Sequence, residues 1–106
     1  MSGSQGPDYP VGAGAGGDNC AGLRREKPLA APDPDLVAQL AVGQVLQLVL
    51  GDEPHPPIAA VDDDGNEVGA VPPDPVLVEC LKLGHPFHAT VRSINGGAVM
   101  LTIEPS

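Results

Sequence analysis

One stretch of this chain occurs twice, and the second copy restricts the fold more than any other feature. Residues 32–43 read Pro-Asp-Pro-Asp-Leu-Val-Ala-Gln-Leu-Ala-Val-Gly. Residues 73–84, 41 positions later, read Pro-Asp-Pro-Val-Leu-Val-Glu-Cys-Leu-Lys-Leu-Gly, identical at seven of twelve positions. Each copy carries the start and stop signals of a short helix. Asp33 and Asp74 suit the N-cap, where a carboxylate accepts from free N–H groups of the first turn. Pro34 and Pro75 fall at the first helical position, where a missing N–H is harmless. Gly43 and Gly84 suit the left-handed residue that ends a helix. Between them, Leu36, Val37 and Leu40 share one face, as do Leu77, Cys80 and Leu81. Helices of about eight or nine residues are too short to stand alone and must dock on something. Two copies do not make a solenoid; they suggest two similar halves closing on each other.

Strand signals surround the copies. Residues 20–31 read as a first strand. Gln44 to Leu50 is a second, with Leu46, Leu48 and Leu50 inward; being apolar on nearly both faces, it reads as the more central strand. Ile58 to Val61 and Glu67 to Val71 flank Asp62-Asp63-Asp64-Gly65-Asn66, where Asp-Gly signals a hairpin. Phe87 to Ile94 alternates, with Phe87, Ala89 and Val91 on one side. Asn95-Gly96-Gly97 then turns into a last strand with Val99, Leu101 and Ile103 inward. The fold expected is mainly β with two short helices (α+β): a small six-stranded, barrel-like domain built from two similar β-α-β-β halves. Closure would remove exposed edges.

The organisation expected is a disordered Gly-rich tail, residues 1–19, and a single β-rich domain, residues 20–106, with the internal repeat at 20–60 and 61–104. The tail holds six glycines, two prolines and one aromatic, too little apolar area to offset its chain entropy.

Charge limits the partners. Five Lys and Arg against fourteen Asp and Glu give a formal charge of −9, which opposes nonspecific attraction to phosphate backbones. No run reaches the ~18 apolar residues that suggest a membrane span, and no basic-then-apolar leader opens the chain. Two cysteines do not form a disulfide scaffold. The expectation is a cytoplasmic protein with both thiols reduced, Cys80 packed in the second helix and Cys20 exposed at the domain boundary.

Few residues suggest chemistry. Arg24, Arg25 and Lys27 lie on the first strand and, with Arg92 on the outward face of the fifth, are the candidates for an anion or nucleic-acid patch. The first three read foremost as a charged edge that discourages pairing, with the patch as the alternative. Cys20, Cys80, His55 and His85 offer the ligand types zinc takes, but without the close pair that structural zinc sites use. Asp62, Asp64, Asn66 and Glu67 resemble part of a calcium loop, yet Glu67 stands where that loop requires glycine. No Ser-His-acid pattern or phosphate-cradling loop is present. The expectation is no catalytic residue, no metal, no cofactor and no enzyme.

Over residues 57–103 the chain runs Ile58-Ala59-Ala60-Val61, Asp64-Gly65, Val68-Gly69-Ala70-Val71-Pro72, then a helix, Leu83-Gly84 and the strand from Phe87. This succession resembles the HIRAN family. Residues 53–57, Glu-Pro-His-Pro-Pro, replace the family's Asn-x-x-Asp stretch, and Ala70 stands in place of its aromatic. The resemblance implies a small barrel and, because some members bind 3′ ends of single-stranded DNA, a role at nucleic-acid ends. The reading taken from the residues themselves is a non-enzymatic binding or accessory module for a protein partner. A HIRAN-like end binder is the alternative, and a small-ligand or enzymatic site in a barrel mouth is a third. Neither the partner's identity nor the oligomeric state is written in the sequence.

Overall fold

The computed structural model describes residues 20–106, so the expected tail, residues 1–19, lies outside the described residues. In chain order the elements are β1 (Arg25–Pro28), α1 (Pro34–Val37), β2 (Val45–Leu50), β3 (Ile58–Val61), β4 (Glu67–Val71), α2 (Pro75–Lys82), β5 (Phe87–Asn95) and β6 (Ala98–Pro105). The fold class is as expected, mainly β with two short helices. The six strands form one antiparallel sheet in the order β1-β6-β5-β2-β3-β4, curled towards a barrel.

The two outer strands meet through the chain that follows β1. Leu29 N–H donates to Val99 O on β6 at 2.8 Å. The next residue faces the other way: Ala30 and Ala70 of β4 exchange two backbone hydrogen bonds, at 2.7 and 2.8 Å. Asp33 N–H then donates to Val68 O at 2.8 Å. This seam is tight. A Cβ on Gly69 would lie 2.8 Å from Leu29 Cδ1 and 2.9 Å from Ala30 O, so only glycine fits beneath the crossing chain.

Both helices start as their Asp-Pro pairs predict. Asp33 Oδ1 accepts from the Asp35 and Leu36 N–H groups, and Asp74 Oδ1 from those of Val76 and Leu77. They end differently. In α2, Gly84 has φ +91°, its N–H donates to Leu81 O, and His85 N–H donates to Cys80 O, a Schellman ending. Helix α1 stops after four residues, half the length expected. Gly43, at φ +93°, donates instead to Val91 O of β5, and Gln44 Oε1 accepts from Ala41 N–H. The backbone of the first copy is thus drawn onto the sheet before its helix can lengthen.

Inside the curl, Leu46, Ile58, Ala60, Val68, Leu77, Ala89, Leu101 and Ile103 are wholly buried, with Phe87 beside them. The alternation expected for β2, β5 and β6 holds. Strand β2 is central in the sheet, but it is not covered on both faces: Val45 and Val49 are 42% and 51% exposed on its outer side, because a single curled sheet has only one dry face. The first strand is also shorter than expected. Residues 20–24 precede it, beginning with a helical turn at Cys20 and Ala21.

That turn carries the largest correction. Cys20 is buried, and it is joined to Cys80 of α2 in a disulfide. The two thiols expected to be free and reduced are one covalent bond. Spacing of 60 residues hides such a pair from a sequence reading, since only the fold brings the ends together. Among the described residues, no helix is long and apolar enough to cross a membrane.

Candidate functional site

Strand β1 deals its charges to two sides. Arg25 and Lys27 alternate with Glu26 and stand opposite Ile103 and Leu101 of β6, two core residues. Their heads reach the start of α2: Arg25 Nε donates to Asp74 Oδ2 at 2.6 Å, and Lys27 Nζ lies 3.7 Å from the same oxygen. The Asp74 side chain is only 12% exposed. Burial alone pushes its carboxyl up. The Arg25 hydrogen bond, the Leu77 and Val76 N–H groups and the Arg25 charge together outweigh that, and hold it below the usual carboxylate value.

Arg24 and Arg92 belong to the other side. There Glu26 carboxylate oxygens accept from the hydroxyl of Thr102, the one buried polar residue among those described. Thr102 Oγ1 also accepts from Arg92 Nη1 at 3.1 Å. Arg24 lies 3.6 Å from Glu26 and 3.3 Å from Glu104, and Arg92 lies 3.7 Å from Glu26. The four candidate patch residues therefore fall into two groups, Arg25 with Lys27 and Arg24 with Arg92, each facing carboxylates.

The candidate metal sets come apart in the same way. Cys20 and Cys80 have no thiolate to offer once paired. Asp62 Oδ1 accepts from the Asp64 and Asn66 N–H groups, so the acidic stretch is a self-capped hairpin turn with Gly65 at φ +86°. Among the described residues, no three His, Cys, Asp or Glu side chains converge as metal ligands.

What sequence reasoning missed is a groove of about 530 Å³. Pro32, Pro34, Val37, Ala38 and Leu40 form one wall; Ile94, near the end of β5, and Gly96 and Gly97 of the β5–β6 turn form the other. No lining side chain is ionisable. The prolines were legible as helix-start residues, but nothing in the sequence says that a turn some sixty residues later comes to face them. The walls are rigid for local reasons, two proline rings with fixed φ and a tight hairpin. Ala38, Gly96 and Gly97 are exposed, so the groove opens to solvent.

No family model, curated protein or solved structure matches the chain. The residues that carry the HIRAN resemblance form the β3–β4 hairpin, α2 and β5.

Proposed function

We propose that this domain is a non-enzymatic binding module that receives an apolar peptide segment of a protein partner in the groove between α1 and the β5–β6 turn. The observation that carries this reading is the groove's lining: aliphatic side chains, two prolines and exposed glycine backbone, with no acid, base or nucleophile. Such a lining supplies apolar area and backbone hydrogen-bonding groups, which recognise a chain. It supplies nothing that moves a proton. The engagement of Arg24, Arg25, Lys27 and Arg92 with carboxylates argues in the same direction, since a phosphate-rich ligand would have to displace them.

The test is a peptide library displayed on phage and panned against the full chain, with enriched peptides then titrated against variants. Ala38→Glu puts a charge on the groove wall at an exposed position, and is expected to weaken binding at least tenfold. Val49→Glu, on the outer face of β2, is expected to leave it unchanged. Failure to enrich any apolar sequence, or equal binding by wild type and Ala38→Glu, overturns the reading.

A further inference from the structure

We propose that the Cys20–Cys80 bond is a structural staple, and that the chain is built to work in an oxidising compartment. Cys20 and Leu23 are buried, 2% and 6% exposed, yet among the described residues, and outside the regular elements, the backbone hydrogen bond involving Cys20–Leu23 runs from Leu23 N–H to Cys20 O, within the turn itself. The sheet does not hold this turn until β1 begins at Arg25. Beyond the packing of Leu23 in the core, the bond to α2 ties it down.

The place where the bond lands matters. Cys80 lies in the last turn of α2 and is buried with Leu77 in the core. The 60-residue separation encloses β1, α1, β2, β3 and β4, so the bond ties the start of the domain to its second helix around more than half of the fold. The Cα atoms are 5.5 Å apart, within the usual range for a disulfide. Cross-linking a loop of this length restricts the unfolded chain by roughly three orders of magnitude in the unfolding equilibrium. The core it supports has one aromatic residue, Phe87, and no tryptophan. Small domains with modest cores are those that use such a staple.

Burial separates a staple from a redox relay. Thiol–disulfide exchange needs an attacking thiolate to reach a sulfur, and both cysteines are 2% exposed. No third cysteine exists in the chain to resolve a mixed disulfide. Formation of the bond removes two protons and two electrons from the two thiols. An oxidised thiol–disulfide donor takes them up and leaves as its dithiol. That donor, and the persistence of the product, belong to oxidising compartments, which moves the chain away from the cytoplasm that its cysteine count alone suggested.

The experiment uses the full chain. It is equilibrated in glutathione buffer at an oxidising-compartment poise, denatured, and its thiols counted with a maleimide. No free thiol is expected, and two after prior reduction. Urea unfolding is then followed for oxidised protein, reduced protein and the Cys20→Ser/Cys80→Ser double variant. The expected result is a clear drop in midpoint for both non-bonded forms, with faster amide exchange near Leu23 in the reduced protein. Free thiols at the oxidising poise, or equal midpoints for oxidised and reduced wild type, overturn the proposal. The reduced wild type keeps the test decisive should the serine variant fail to fold.

Discussion

Arg25 Nε donates to Asp74 Oδ2 at 2.6 Å, joining strand β1 to the residue that opens helix α2. The other oxygen of the same carboxylate accepts the Val76 and Leu77 N–H groups. One side chain thus caps a helix and anchors a strand, and the anchored strand leads directly into the seam that closes the curl.

The first prediction follows from the lowered Asp74 carboxyl. Protonation is harder in the folded chain than in the unfolded one, where the value is ~3.9. The unfolded state therefore binds more protons as pH falls, and stability falls with it. The contribution is fully present above the unfolded value, and is lost as pH drops through the folded one. Asp74→Asn keeps a good cap but removes the charge. With allowance for the exposure of Arg25, it is expected to cost about 1 kcal/mol at neutral pH. Its stability should also depend less on pH below ~4 than that of wild type. Urea midpoints from pH 7 to 2 check both; parallel pH curves would show that the pair contributes nothing.

The second prediction concerns the seam. Gly69→Ala places a methyl group against the Leu29 side chain and the Ala30 carbonyl, and that carbonyl accepts from Ala70 N–H in the Ala30–Ala70 bridge, so it yields only at the bridge's expense. Overpacking of this kind costs roughly 1–3 kcal/mol. The amides of Ala30 and Ala70 should exchange faster in the variant. Gly97→Ala is the control: its Cβ meets nothing within 4 Å, and a change within about 0.5 kcal/mol is expected.

These two sites show what could be read from the residues alone. Asp74 as a cap was legible, because capping is local chemistry between a side chain and the next few amides. Its partnership with Arg25 was not, because ion pairs across 49 residues leave no periodic trace. Strand faces were legible wherever one face is dry, as with Phe87, Ala89 and Val91. They misled at Val45 and Val49, where an apolar residue faces water. The equal lengths expected for the two helices failed at Gly43, whose amide is taken by Val91 O. The disulfide and the groove share one cause of invisibility: each is made by segments that only tertiary packing brings together.

The last prediction concerns nucleic acid, where the HIRAN resemblance and the local electrostatics point in opposite directions. Binding of a phosphate backbone releases counterions, and its affinity falls as salt rises. That requires cations free to meet phosphate. Arg24 and Arg92 stand over Glu26 and Glu104, and Arg25 and Lys27 over Asp74, so each must exchange one anion for another. Screening over about 8 Å at physiological ionic strength softens the formal charge of −9 without adding attraction. Stacking, worth about 1–3 kcal/mol per base in single-strand binders, lacks a platform among the described residues, since Phe87 is 2% exposed in the core. A titration of labelled single strands with a free 3′ hydroxyl is therefore expected to show no saturable binding at physiological salt. It should show at most weak, length-dependent association at low salt. Low-micromolar binding that is abolished by Arg24→Glu with Arg92→Glu would reverse this, and would make the outer face of β1 and β5 the functional surface in place of the groove.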